Sequence, residues 1–431
     1  MVCVMKRIEK VRLYPTRSQE AKLQHALHLT RHLYNALLEQ RIIAWKTRRL
    51  TITSREQYSQ ITDLRDADRR FKGLYRECED AVLRRLDLTF RSFFRRVRRG
   101  LGGFPRFKSC KRWRTLHFPH GNRALRLDSQ QKRIGVPGIG PIRLRKGRSI
   151  PPFKRAWILQ KNGRWYAQFE HETPVEPLPL TGRTVGIDQG VTSLLATSDG
   201  ELISNPRCME QLRVAIERAQ RKVSKRAAGS GRRKRAAARL ARMHERAASQ
   251  RRDHAHKISR RLVDAYDCLV LEDLNLAGMT RSAAGTKLSP GRHVFSKSQV
   301  NRRILDAGLA LLTKRIIEKA EKAARTVVFV AAHYTSQTCS KCRWVDPASR
   351  VGSRFHCARC GHQEHADINA AKNILQKGRV AADGEGRCRS RPRRPVQRAI
   401  PGKHPVGAKT PGPAQRTAMV RIHPPQSLPE H

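Results

Sequence analysis

Four cysteines toward the C-terminal end stand at a spacing that closes around one metal ion. Cys339-Ser340-Lys341-Cys342 is followed, after fourteen residues, by Cys357-Ala358-Arg359-Cys360. Two Cys-x-x-Cys pairs supply four thiolates, the tetrahedral ligand set of a structural zinc site with no position open to water. Directly behind them GHQEHADINAAKNIL sets Asp367 at the start of an alanine-rich, helix-forming stretch. Two further acids end short apolar runs: Asp188 closes TVGID, and Glu272, with Asp273 beside it, closes CLVLED. A carboxylate at the end of a buried strand is costly unless it is paired or bound to metal. Three such carboxylates brought together would offer hard oxygen ligands to two Mg²⁺ (or Mn²⁺) ions about 4 Å apart, the arrangement that hydrolyses phosphodiesters with an activated water. Taken singly, Asp188 could cap an Asp-Gln-Gly turn and Asp367 could be an ordinary helix N-cap. Spacing alone does not choose between Glu272 and Asp273. No convincing Ser/His or Cys/His arrangement accompanies them, so no side-chain nucleophile is expected.

Positioning three distant acids requires particular elements. In an RNase H-like sheet the strand carrying Asp188 lies beside the one carrying Glu272, and the last helix packs across both. The pattern from Thr184 onward suits this: strand TVGIDQ, a turn, strand VTSLLATSDG, later the buried strand CLVLED, a long helix from about Gln299 to Ala324, and the strand TVVFVAA. Between Gln211 and Leu262 run eighteen Lys and Arg against three acids, split by Gly229-Ser230-Gly231 into two expected helices. Leu240, Met243 and Ala247 keep an apolar stripe there, so the cations read as the phosphate-facing side of an amphipathic pair.

The N-terminal half reads differently. Residues 5–14 alternate and end at Pro15, as a strand does, and Thr16 with Gln19 forms a capping box for a helix to about Trp45, striped by Leu23, Leu27, Thr30, Tyr34, Leu37 and Arg41. A second helix is expected over Glu79 to Arg99, with Val82, Leu86, Phe90, Phe93 and Val97 as its core face and Arg84, Arg91 and Arg95 among the arginines free for phosphate contact. Then GGFPRFKSCKRWRTLHFP interleaves Phe104, Phe107, Trp113 and Phe118 with Arg106, Lys108 and Arg112. Aromatics among cations suit a nucleic-acid groove, with Trp113 available for stacking, and they equally suit the edge of a β-barrel. Ala156–Gln160 and Trp165–Glu170 flank an Asn-Gly turn, a hairpin signal, and VEPLPL at 175–180 reads as a linker.

Composition bounds the partners. The 431 residues carry 90 Lys and Arg against 35 Asp and Glu, a formal net charge of +55. A compact fold with that charge repels itself unless a polyanion neutralises it, and nucleic acid is the obvious one. No run approaches the roughly eighteen apolar residues of a membrane span, so no membrane partner is expected. Six scattered cysteines beside the paired four are read as free thiols in a cytoplasmic chain. After Gly378 the composition turns to Pro, Gly and Arg without hydrophobic period, which reads as a disordered basic tail.

The series GIDQG, RRDHAHKISRRLV, LVLEDLNLAGM, SQTCSKC…CARCG and HADINAAKNIL, with RLYPTRSQEAKL and GFPRFKS upstream, resembles the TnpB/OrfB family over residues 1 to about 377. These are transposon-encoded relatives of the compact type V CRISPR effectors. The resemblance implies a multidomain α+β and α/β fold. An N-terminal β-barrel wedge domain (1–15 and 101–180) is interrupted by a helical recognition bundle (16–100). An RNase H-like RuvC nuclease domain follows (181–333 and 363–377) with an inserted Cys₄ zinc ribbon (334–362), then the tail (378–431). It implies catalytic acids at Asp188, Glu272 and Asp367, favouring Glu272 over Asp273, and one structural Zn²⁺ on Cys339, Cys342, Cys357 and Cys360. It also implies Mg²⁺-dependent DNA cleavage directed by a guide noncoding RNA against double-stranded target DNA, in the cytoplasm of a prokaryote near the nucleoid. Strand transfer by the same acids, or catalytically silent nucleic-acid binding, are the alternative readings. Two departures stand out: Arg343 occupies the knuckle position usually held by Gly, and His365-Ala366 precedes Asp367 where many relatives have Asp-Arg.

Overall fold

The computed structural model of the chain describes residues 4–383 apart from 129, 131, 146–149 and 287. The described residues divide into two compact units, Lys6–Thr173 and Pro174–Asp383, the latter joined by Val4–Met5 at the start of the chain.

In the first unit, strand β1 (Val4–Tyr14) ends at Pro15, where the expected capping box starts helix α1 (Arg17–Arg48): the Gln19 N–H donates to Thr16 Oγ1 at 3.3 Å and the Thr16 N–H to Gln19 Oε1 at 3.0 Å. A second box, Thr53 with Glu56, starts α2 (Ser54–Ala67), and α3 spans Arg76–Val97. Strands β2 (Thr115–Phe118), β3 (Arg126–Asp128), β4 (Arg133–Val136), β5 (Gly140–Leu144), β6 (Arg155–Lys161) and β7 (Arg164–Pro174) join β1 in one sheet, ordered β2-β6-β7-β1-β5-β4-β3. The expected barrel is thus a curled half-barrel, whose end strands β2 and β3 offer only four and three residues for pairing. Asn162 and Gly163, both at positive φ (51° and 70°), make the tight turn of the β6–β7 hairpin. Helices and sheet share one core, in which Leu33, Tyr34, Leu37 and Leu86 meet Trp113, Phe118, Ile134 and Phe169. Only the first half of α3 buries its expected face. Val82 and Leu86 are core, Phe90 and Phe93 are half-buried, and Val97 is exposed.

The second unit opens with the 175–180 segment, which is held rather than loose: the Glu176 N–H donates to Lys322 O at 3.0 Å and the Leu178 N–H to Ala323 O at 3.2 Å. Strands β8 (Thr184–Gln189), β9 (Ser193–Thr197) and β10 (Leu202–Ser204) form an antiparallel meander, and β11 (Cys268–Glu272) and β12 (Thr326–Val330) extend it in parallel, giving the order β10-β9-β8-β11-β12. Between β10 and β11 run α4 (Arg213–Ser224) and α5 (Gly231–Ala265). The single long helix expected over 299–324 is instead two, α6 (Val294–Ala307) and α7 (Leu309–Lys322). Gly308 breaks it at φ +71°, where an added Cβ would lie 2.6 Å from Arg251 Cδ.

The side-chain alternation of the parallel strands assigns their faces. Val185, Ile187, Leu269, Leu271, Val327 and Phe329 pack toward α5 and α7, while Val270, Val328 and Val330 pack against Ile374 of the last helix, α8 (Ala366–Asp383). Gly186 lets α8 approach: a Cβ there would fall 2.1 Å from Ala371 O. Before α8 comes a small antiparallel ribbon of β13 (Arg350–Val351), β14 (Arg354–His356) and β15 (Gln363–His365). The sequence pattern ends the last helix near 377, yet α8 runs to Asp383; the rest of the expected tail lies outside the described residues.

Candidate active site and metal centre

Asp188 and Glu272 occupy the C-terminal ends of the neighbouring parallel strands β8 and β11. By strand alternation each shares its face with the residue two before it, Gly186 and Val270, the face covered by α8. Asp367 sits in the first turn of α8. The three acids therefore converge electrostatically. Burial, then the facing Glu272 and Asp367 carboxylates, push the Asp188 carboxyl up to about 7, with Arg350 opposing. Glu272 is 8% exposed and is also raised by burial, opposed by a hydrogen bond from Thr335 and by the charges of Lys377 and Arg350. The Thr335 hydroxyl donates to Glu272 Oε1. Arg350, projecting from β13, donates from Nη2 to Asp367 Oδ1 at 2.8 Å. Thr335, Arg350 and Lys377 had no signal in the sequence, because each reaches an acid only through the placement of the ribbon and α8.

Next to this cluster the four cysteines assemble. Their sulfurs all lie within 4.8 Å of one another, the one set of three or more His, Cys, Asp or Glu side chains so gathered among the described residues. Cys339 and Cys360 Sγ are 3.7 Å apart and Cys342 and Cys357 Sγ 3.5 Å, close to the ~3.8 Å edge that Zn–S bonds of about 2.3 Å give a tetrahedron. Backbone N–H groups of Cys360 and Arg359 bring the Cys357 thiol down to about 7. At Cys360 a backbone N–H from His362 is outweighed by the facing sulfurs, which push that thiol the other way, so the four thiols share protons until a metal displaces them. The two knuckles are alike in shape. The Arg343 N–H donates to Cys339 O and the Gly361 N–H to Cys357 O, and Arg343 and Gly361 take φ of 67° and 68°. Arg343 thus adopts the left-handed conformation its sequence position implied, and its Nη1 donates to Asn373 Oδ1 at 3.0 Å.

The expected nucleic-acid residues divide. Arg84, Arg91 and Arg95 are exposed along α3, and Arg106 and Arg112 are exposed in the loop before β2. Lys108 is half-buried, its backbone clamped by Asn35 (N–H to Oδ1 2.8 Å, Nδ2 to O 3.1 Å) and its ammonium 5.6 Å from the Tyr34 ring centroid. Trp113 is a correction. It is 3% exposed, donates its indole N–H to Thr30 Oγ1 at 2.9 Å and packs 5.1 Å from the Tyr34 ring, so it belongs to the core and offers no face to a base. Its partner lies 83 residues upstream, beyond the reach of a local pattern. The exposed aromatics of that stretch are Phe104 (48%) and Phe107 (53%), with Phe104 edge-on to Phe90 and Phe93.

Residues 167–283 match a family model described as "Probable transposase" (OrfB_IS605), and 310–374 match the "Cas12f1-like, TNB domain". Residues 1–49 match a "Helix-turn-helix domain" of the same group, although here that stretch folds as β1 and the single helix α1. The "Putative RNA-guided DNA endonuclease InsQ" of Escherichia coli (strain K12) is 32% identical over 307 residues, 70% of this chain and 75% of its own. A "Putative RNA-guided DNA endonuclease" of Streptomyces pristinaespiralis is 29% identical over 405 residues, 90% of this chain and 93% of its own. The solved mini-RNA-guided endonuclease CRISPR-Cas_phi3 aligns with 86% of this chain and 92% of its own at a TM-score of 0.43 and 10% identity, too loosely to bear on the assignment.

Proposed function

The chain belongs to the OrfB/TnpB family, and on that premise we propose that it is a transposon-associated, RNA-guided DNA endonuclease that cuts at Asp188, Glu272 and Asp367. The observation that carries this reading is the Asp188 carboxyl: its desolvation, then the facing carboxylates of buried Glu272 and half-buried Asp367, hold it up at about 7, a cluster whose charge calls for cations. The sheet order β10-β9-β8-β11-β12, with an antiparallel meander and two parallel strands, supports the RNase H-like, RuvC-type assignment of this unit. The half-barrel and helices α1 to α3 are read as the wedge and recognition domains, and residues 334–362 as the zinc ribbon.

Cys339, Cys342, Cys357 and Cys360 would hold a structural Zn²⁺, since their sulfurs have tetrahedral spacing and fill every position. Asp188, Glu272 and Asp367 would hold divalent Mg²⁺, which when bound supplies Lewis-acid activation of water and charge neutralisation at the leaving oxygen. The protein's own part is orientation. Thr335 would fix the rotamer of Glu272, Arg350 that of Asp367 while adding positive charge toward a scissile phosphate, and the burial of Glu272 keeps bulk water from it. Base pairing with the guide RNA would supply sequence choice, and the exposed arginines of α3 the grip on the backbone.

The test is to purify the chain, sequence the RNA that co-purifies and assay cleavage of matched plasmid DNA with Mg²⁺. A discrete RNA and guide-dependent cutting are expected, abolished by Asp188→Ala with RNA binding intact. Cutting without RNA would remove the guided reading and favour the strand-transfer reading suggested by the "Probable transposase" description.

A further inference from the structure

Asn369 and Asn373 are buried polar residues on α8, at 0% and 2% exposure. Four residues apart, they share one helix face. Asn369 accepts the Ser340 N–H at 2.8 Å on Oδ1 and donates from Nδ2 to Thr338 O at 2.8 Å. Asn373 donates from Nδ2 to Thr335 O at 3.0 Å and to Thr338 O at 2.6 Å, and accepts Arg343 Nη1 on Oδ1. Every partner lies in the irregular segment that leads from β12 into the first knuckle. Apolar side chains in their place would leave those carbonyls buried and unpaired.

The partners of the two amides lead to the acids. Thr335, whose carbonyl Asn373 holds, gives its hydroxyl to Glu272. Ser340, whose N–H Asn369 holds, lies between Cys339 and Cys342, and the ribbon they begin carries Arg350 to Asp367. The ribbon has its own three-stranded pairing and its own four-sulfur cluster, and of α8 only the first residue, Ala366, enters its core. What it needs from α8 is registration.

We infer that Asn369 and Asn373 are positioning residues of the acidic site: they latch the zinc ribbon to α8 so that Thr335 and Arg350 hold Glu272 and Asp367 in working register. The inference rests on the reading of Asp188, Glu272 and Asp367 as the cleavage site. It adds that the ribbon acts on that site from outside, through hydrogen bonds that touch neither substrate nor ion. An isosteric exchange isolates it. Asn373→Asp and Asn369→Asp keep the oxygens that accept from Arg343 and Ser340 but turn carboxylate oxygens toward the Thr335 and Thr338 carbonyls.

In the full-length chain with its RNA, both variants are expected to keep wild-type zinc content and DNA affinity. Mn²⁺ affinity, titrated by electron paramagnetic resonance, and the single-turnover cleavage rate should each fall about 10-fold, at the lower end of the roughly 10- to 100-fold loss seen when a partner that hydrogen-bonds a metal ligand is removed, because the amides act through Thr335 and Arg350. Thr335→Val, which lacks the hydroxyl, should show the same split between rate and DNA binding, while Thr335→Ser, which keeps it, should restore both readouts. Wild-type Mn²⁺ affinity and rate in the two aspartate variants would overturn the latch. So would loss of zinc in step with rate, which would make the amides props of the ribbon alone. Asp188→Ala separates the two readings. If it still cuts, the acid-site assignment falls; if it is dead while Asn373→Asp is normal, only the latch does.

Discussion

A single side chain in the wrong conformational region marks the first knuckle. Arg343 sits at φ 67°, where a non-glycine residue is strained by about 1–2 kcal/mol, and its hydrogen bond to Asn373 offsets about 0.5–1.5 kcal/mol of that. Arg343→Gly, which relieves strain and loses the bond, should therefore be nearly neutral in urea unfolding. Arg343→Ala keeps the strain without the bond and should destabilise by about 1 kcal/mol; equal effects of the two would contradict this balance. Asp188 makes a pH prediction. Its carboxyl is raised from 3.8 to about 7 by burial and by Glu272 and Asp367, so in the metal-free fold it holds its proton more tightly than in the unfolded chain. Its contribution to metal-free stability is therefore full below the unfolded value and lost as pH rises through 7. Divalent ions compete with that proton, so the gain in Tm on adding Mg²⁺ should be larger at about pH 8 than at about pH 6, and Asp188→Asn should flatten the difference. Asp188 and the Glu272-Asp273 pair stood out in the sequence because an acid ending an apolar run is conspicuous, and Asp367 because it opens an alanine-rich stretch; only the family resemblance chose Glu272 over Asp273. Thr335 and Arg350 were not, because an ordinary threonine and one arginine among many gain meaning only from what faces them.

Elements explain where local patterns succeeded and failed. Capping at Thr16 and the Asn162-Gly163 turn depend on neighbours within a few residues, and both appear as the sequence implied. Whether the second half of α3 meets a core depends on what packs over it: Phe90 packs against the core but Val97 is exposed, and there the pattern overreached. The approach of α8 to β8 yields a firm expectation. Gly186→Ala would drive a methyl to 2.1 Å from Ala371 O, costing at least about 1–3 kcal/mol and displacing the helix that carries Asp367. Cleavage should be lost while RNA binding persists, and an active Gly186→Ala enzyme would refute the packing. The α4–α5 pair makes another prediction. From Arg213 to Gln250 only Ile216 and Ala247 are buried, and Arg232, Arg235, Arg239 and Arg242 line one exposed helix face. Reversing Arg232, Arg235 and Arg239 to Glu should leave Tm unchanged, weaken nucleic-acid binding and lower the salt slope by about 0.9 for each phosphate no longer neutralised. An unchanged slope would make the face merely solvated.

At the scale of the whole molecule, the sequence carries a formal +55, and its described residues form two units with separate cores, one a helix-covered half-barrel and one a layered sheet with Asp188 and Glu272 at its strand ends. Composition announced the polyanion partner, but not where a truncation would be tolerated. Because α8 continues to Asp383 and Lys377 opposes the raised pKa of Glu272, stopping the chain at Gln376 should impair cleavage, whereas stopping after Asp383 should spare it. Equal activity of the two truncations would show that the last turns of α8 are dispensable.

The position of α8 in the chain also bears on biosynthesis. Asp188 is made early and Glu272 midway, but the third carboxylate, and the helix on which the ribbon is registered, leave the ribosome after every other described element. A product released before α8 carries most of the positive charge and only two of the acids. On the reading of these acids as the cleavage site, such a product would bind nucleic acid without cutting it, so the order of synthesis would delay cleavage until the last described helix has been made.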